Sequence, residues 1–162
     1  MIGYFKCYKN DKLVDEGHNL VVNNGRKWYI DRWVGTGSVQ PWDVTHSMLG
    51  LGESSGTTYN NTSGLGAELG AGSNGRSVFN TITRTVDAGS TIIGSVSFSN
   101  VLGTVSELGV FVTGYDGIGS LRLLGSGAET GLLFGRRTFD TPVVLGSGDV
   151  FNVTYSYTQW DV

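Results

Sequence analysis

The last strand-like stretch of the chain carries the plainest signal: Phe151, Val153, Tyr155 and Tyr157 alternate with polar residues at a strict period of two. That is the signature of a strand with one buried face. Val78, Ile82 and Val86 share one parity, and Ile92, Val96 and Phe98 continue in a partner strand after a turn at Asp87-Ala88-Gly89. Residues 104–113, TVSELGVFVT, are almost continuously apolar, with Leu108, Val110 and Val112 on one side and Phe111 on the other. A strand covered on both faces reads this way. Residues 2–8 and 12–22 read as strands joined by a turn at Asn10-Asp11, with a bulge or second turn at Asp15-Glu16-Gly17. Further short strands are expected at Met48-Leu49-Gly50-Leu51, at SLRLL (120–124), at LLFGRRTF (132–139) and at PVVL (142–145).

One segment breaks the period of two. Tyr29, Ile30, Trp33 and Val34 fall at i, i+1, i+4 and i+5, which predicts a single short helix near residues 24–34. Asn23 or Asn24 serves as its N-cap and Gly35 ends it. The Tyr29–Val34 face is expected to pack over a sheet edge or barrel end, with Trp28 and Trp33 in the core. Several strands at spacings of about 8–12 residues with one helix predict a mainly β fold, a β-sandwich or jelly-roll-like arrangement. Its boundaries are 1–162, a single domain, with a long glycine-rich loop at about 53–75. A loop of that length is functional or mobile in a compact domain.

Composition sharpens this picture in two places. The 162 residues include 26 glycines and 2 prolines, and the glycines follow no three-residue period. They therefore belong to turns, bulges and loops. Charged residues are only 15% of the chain, against roughly 25% in an average soluble domain. A surface rich in short, neutral side chains loses little side-chain entropy on being covered by a partner. The net charge is −3, and the only adjacent basic pairs are Arg26-Lys27 and Arg136-Arg137, so direct nucleic-acid binding is not expected. No run of 18 apolar residues predicts a membrane span, and the opening MIGYFKCYKNDK has charges where a signal peptide is apolar. The single cysteine, Cys7, allows neither an internal disulfide nor a cysteine-based zinc site.

Candidate chemistry is sparse. His18 and His46 have no cysteine or acidic neighbour at ligand spacing. The Gly70, Gly72, Gly75 match to a dinucleotide fingerprint neither follows an apolar strand nor opens a helix. The strand, nucleophile and helix context of a hydrolase nucleophile elbow is missing, and there is no acidic triplet suited to calcium. Glu53, Glu68, Glu107 and Glu129 are available for paired-carboxylate hydrolysis, which depends on their separation. Glu107, inside the apolar strand, is better read as hydrogen-bonded to backbone or to an arginine than as an acid of raised pKa. The expectation is of no enzyme: no catalytic, cofactor-binding or metal-binding residue, and no cofactor. Exposed aromatics remain as contact candidates, namely Tyr4, Phe5, Trp42, Tyr59 and Trp160, with strand 1–9, the 53–75 loop and the end near Trp160 as contact regions.

The order of segments carries a resemblance. LVVNNGRKWYIDRWV, then MLGLGESSGTT, then TSGLGAEL leading to an arginine, then SELGVFVTG, GSLRLLG and RRTFDTPVVLGSGDVFNVTYSYT follow one another. Within them stand V-x-N-x-G, G-x-G, E-x-G-[VLI]-F and G-D-x-[FL]-x-[VI]-x-[YW]. This succession, from about residue 19 to 158, resembles a broad group of tailed-bacteriophage virion proteins. The resemblance implies a β-sandwich structural protein located in the virion and assembled in the host cytoplasm. A capsid cement (decoration) role is favoured, because the chain has no coiled-coil heptads and no fibrous repeat. Its implied partners are the major capsid protein or other virion proteins, and a homo-oligomer, a trimer by preference. The loop at 53–75 is longer than in the tail-type pattern. A tail, baseplate or fibre-attachment protein is the alternative, and a carbohydrate-binding β-sandwich using Trp42, Tyr59 or Trp160 a further one.

Overall fold

The computed structural model describes residues 2–35, 42–69, 76–85, 91–112, 114–115, 121–122 and 131–158. The elements are β1 (Ile2–Lys9), β2 (Lys12–Val21), α1 (Asn23–Val34), β3 (Ser47–Gly52), β4 (Arg76–Val78), β5 (Thr81–Thr85) and β6 (Thr91–Ser99). They continue with β7 (Gly103–Val112), β8 (Gly114–Tyr115), β9 (Leu121–Arg122), β10 (Leu132–Leu145) and β11 (Val150–Thr158). Nine of the strands form one antiparallel sheet in the order β4-β3-β7-β10-β2-β1-β11-β6-β5, and β8 pairs with β9 alone. Among the described residues the fold is mainly β with a single short helix, as the patterning predicts.

The sheet curls into two facing layers because two segments turn corners. β2 pairs with β1 as far as Asn19, then hands Leu20 and Val21 to β10. β4 and β5 are the opposite edges of the sheet yet are consecutive in the chain, linked by Phe79 and Asn80. Phe79 is buried, and Asn80 ties the link to β6 through its backbone N–H on Ser95 O and its side chain on Ser97 N. Between the layers, Phe5, Val96, Phe98, Phe151, Val153 and Tyr155 meet Leu49, Leu51, Leu108, Val110, Phe134 and Leu145. The buried positions of β11 are Phe151, Val153, Tyr155 and Tyr157, so its period of two is a true inward face.

The Asn10-Asp11 turn has both residues at positive φ (49° and 64°), the two-residue hairpin that matches strand twist. The bulge between β1 and β2 falls at Val14, opposite the Cys7–Tyr8 step, rather than at Asp15-Glu16-Gly17. The Asp87-Ala88-Gly89 turn lies outside the described residues, as do positions 70–75 of the predicted loop. No helix among the described residues is long and apolar enough to cross a membrane.

The helix begins and faces differently from expectation. Its N-cap is Val22, without a side-chain cap, and Asn23 is its first residue. The Asn23 N–H instead donates to Asn60 O in the loop after β3, so backbone does the work of a capping side chain. Gly35 ends the helix in the left-handed conformation (φ 67°), as predicted. The face that packs is Gly25 and Trp28, with Tyr29 half-buried against the core beside them, and not Ile30, Trp33 and Val34. A Cβ at Gly25 would overlap the Phe134 carbonyl, so the helix backbone rests directly on β10 there. That contact turns Ile30, Trp33 and Val34 to solvent, and Trp33, expected in the core, is 72% exposed.

Candidate contact surface

The outer face of the β3–β7 pair is a floor made by residues two apart. On β7, Glu107, Gly109 and Phe111 lie opposite Gly52, Gly50 and Met48 of β3. The glycines leave room: a Cβ on Gly50 or Gly109 would press on Leu65, and one on Gly52 would overlap the Glu107 carboxylate. Residues 53–69 lie on this floor, with Leu65 packed against Val22, Phe111 and Leu133. This explains why β3 and most of β7 are buried on both faces.

Glu107 pins the loop. Its carboxylate, fully buried, accepts from the Arg136 Nε at 2.5 Å and from the backbone N–H groups of Ser54 (3.3 Å), Gly66 (3.1 Å) and Ala67 (3.0 Å). Arg136 in turn donates from Nη1 to Thr58 Oγ1 at 3.0 Å. The hydrogen-bonded reading of Glu107 is the one the geometry gives. A second pair closes the loop: Arg76 of β4 grips Glu68 through Nε and Nη2, and its guanidinium lies 3.7 Å from the centre of the Phe111 ring. Backbone bonds from Glu53 N to Ala67 O and from Leu69 N to Leu51 O complete the attachment.

Arg137 projects to the face opposite its neighbour Arg136 and makes a two-pronged contact with Asp15, at 2.8 and 3.0 Å. It thereby clamps β10 to β2 at the corner where β2 changes layers. His46, expected to lack an acidic neighbour, stands 2.8 Å from the carboxylate of Asp43, three residues before it in a turn ahead of β3, and His18 meets Tyr4 edge-on at 5.0 Å. Among the described residues no three His, Cys, Asp or Glu side chains gather as a metal site.

The five aromatic candidates separate. Tyr4 is half-buried on the outer face of β1, and Tyr59 is 64% exposed in the pinned loop. Phe5 and Trp42 are corrections: both are buried and cannot serve as surface contacts. Phe5 shares the inward parity of Gly3 and Cys7 on β1. Trp42 is the hub of an aromatic cluster, with Tyr155 and Tyr157 stacked at 5.7 Å and Phe134 and Trp28 edge-on at 4.7 and 5.9 Å. Trp160 lies outside the described residues.

The exposed surface missed in the sequence is the outward stripe of α1, where Ile30, Trp33 and Val34 stand 56%, 72% and 63% exposed. Gly25, three residues before Trp28, was the available clue. Glycine inside a helix costs about 1 kcal/mol relative to alanine, so its presence marks a close backbone approach. The tip of the pinned loop abuts the start of the same helix, through Asn60 and Arg26. Beside the helix a cavity of about 320 Å³ opens between its last two turns, Trp42 and the β5–β6 edge. No protein-family model, no curated protein and no solved structure matches the chain.

Proposed function

We propose that the protein is a structural component of a tailed-phage virion, and within that class a capsid cement protein bound to the assembled head shell. The observation that carries this reading is how the segments of the resemblance interlock. G-x-G is the Gly50–Gly52 floor, E-x-G-[VLI]-F supplies Glu107, Gly109 and Phe111, and TSGLGAEL is the loop they hold. The arginine after that loop is Arg76 on Glu68, and V-x-N-x-G brings Gly25 against β10 and Asn23 against Asn60. Residues widely spaced in the sequence thus act as one unit that builds a rigid module.

What that module presents supports a cement role. Its ionic groups Glu107, Glu68, Asp15 and their arginines are turned to internal fastening. What projects from α1 is an apolar stripe, the kind of surface that marks contact with another protein. Ligation of an assembled shell stabilises it by mass action, and a symmetric homo-oligomer, a trimer by preference, multiplies such contacts. The partner is then the major capsid protein, and the location the virion.

The test is co-sedimentation of the purified protein with undecorated, expanded heads. Saturable binding at fixed stoichiometry together with a raised shell melting temperature is the expected result. Absence of binding to heads, with binding to tails or tail tubes, replaces the cement role by the tail-associated one.

A further inference from the structure

A second recess, of about 380 Å³, lies between the pinned loop and the corner where β2 passes to β10. The loop lends it Ser55, Thr57 and Thr58, and β10 lends it Arg136, Thr138 and Asp140. Its polar side chains are largely unspent. Among the described residues the hydroxyls of Ser55, Thr57 and Thr138, the Asp140 carboxylate and the ring nitrogens of His18, another wall residue, make no hydrogen bond. Thr58 Oγ1 accepts from Arg136 Nη1 at 3.0 Å and keeps its own O–H to donate. Donors and acceptors thus stand together: hydroxyls that serve as either, and a carboxylate that accepts.

Charge narrows the choice of occupant. Arg136 is paired with Glu107, and Arg137, at the rim, is paired with Asp15, so neither guanidinium brings an excess of positive charge. Asp140 adds a negative charge, which repels an anion. Leu20 and the ring of His18, set edge-on to Tyr4, supply a small apolar wall. The match is an uncharged molecule with several hydroxyls and a C–H face.

The recess is also built in advance. Ser54 and Thr58 bracket the lining segment 55–57, and one buried ion pair fastens both: the Ser54 N–H donates to Glu107 Oε1 at 3.3 Å, and Thr58 is held by Arg136. A segment fixed at both ends avoids the cost of ordering when a ligand arrives.

We propose that this recess binds a neutral saccharide, with Thr57, Thr58, Thr138 and Asp140 as its hydrogen-bonding groups. The site goes beyond the structural role and uses a surface to which α1 contributes no lining residue.

The test is titration of the purified protein with glucose, galactose, mannose, rhamnose and N-acetylglucosamine, with glucuronate and inorganic phosphate as charged comparators, read from backbone amide signals in NMR. Saturable shifts confined to residues 55–58 and 136–140 and to His18 are expected with at least one neutral sugar. Asp140→Ala should weaken that sugar at least about tenfold and Thr57→Val about fivefold, the sizes that follow from losing a hydrogen bond to a charged and to a neutral group. Both side chains are exposed, so urea unfolding should stay as in wild type. No saturable shift with any of the five sugars, tighter binding of glucuronate or phosphate than of the neutral sugars, or unchanged affinity in both variants overturns the proposal. A Gly-Ser-Thr peptide that perturbs the same amides more strongly than every sugar also overturns it, in favour of a polar protein segment. If wild type binds heads and no sugar, the saccharide site alone falls. If a sugar binds and heads do not, the cement role alone falls.

Discussion

Glu107→Gln isolates the contribution of the buried pin. The substitution keeps size and shape, but puts an amide NH₂ where one carboxylate oxygen accepted hydrogen bonds. Either the Arg136 Nε and the Gly66 N–H, which share one carboxylate oxygen, or the Ser54 and Ala67 N–H groups, which share the other, then face another donor. The Arg136 charge, on a side chain only 3% exposed, also loses its counter-charge. Removing one member of a buried pair costs about 3–5 kcal/mol, and solvent screening gives no discount at this depth. Against a total stability of about 5–15 kcal/mol, the variant still folds but with a much smaller margin. For a chain of this length the fall in Tm is roughly 6–20 °C, at about 2–4 °C per kcal/mol. Urea unfolding gives the free energy, and hydrogen exchange at Gly66 and Ala67 gives the local effect. Both should report loss, with the two amides losing protection first. Arg136→Met should be milder than Glu107→Leu, because the carboxylate still holds three N–H groups when the arginine is gone. A Glu107→Gln variant within about 0.5 kcal/mol of wild type, the range of ordinary surface substitutions, would refute the pinning argument.

Three other outcomes are expected. Gly25→Ala, which helix propensity alone makes stabilising by about 1 kcal/mol, should instead destabilise by about 1–3 kcal/mol in urea unfolding, because the new Cβ meets the Phe134 carbonyl. Trp42→Ala should cost about 3–5 kcal/mol and erase the near-ultraviolet aromatic signal, whereas Trp33→Ala should stay within about 0.5 kcal/mol of wild type. Asp149 has its pKa lowered to about 2 by hydrogen bonds from the Gly146 N–H, the Asn10 side chain and Lys9. Its unfolded value is near 3.9, so between these two values the unfolded state binds more protons. Its contribution is complete above about pH 4 and is lost as pH falls toward 2. Acid titration of stability should show that slope in wild type and lack it in Asp149→Asn.

How much of this was legible in the sequence depends on whether a signal is local. Period two in Phe151–Tyr157, the Asn10-Asp11 turn and the Gly35 stop each arise within a few residues, and each stands where the pattern put it. The outward face of α1 does not. Apolar spacing marks Tyr29, Ile30, Trp33 and Val34 as one face, but burial was decided by a partner 109 residues away, the Phe134 carbonyl against Gly25. Trp42 was placed on the surface because it follows a proline in a loop. Its burial comes from ring contacts with Tyr155 and Tyr157, more than a hundred positions later.

The floor under the loop shows why the glycines mislead when read only as flexible. Gly50, Gly52 and Gly109 lie within strands, where glycine lacks a side chain to pack and weakens pairing. Their benefit appears only when β3 and β7 are placed side by side: the three vacant Cβ positions make a recess into which Leu65 and the Glu107 side chain fit. Alternation of glycine with large apolar residues, as in Gly50-Leu51-Gly52 and Gly109-Val110-Phe111, therefore marks a strand whose second face is covered by its own chain. The same spacing that makes 53–69 look like an unattached loop in the sequence supplies its attachment. Pinning of this kind holds Asn60 where it satisfies the first N–H of α1, so the loop, the helix and the apolar stripe on that helix are fixed relative to one another before any partner arrives. A surface ordered in advance avoids the cost of ordering it on binding, roughly 0.5–1.5 kcal/mol for each immobilised side chain, which is the physical case for expecting contact at this end of the molecule.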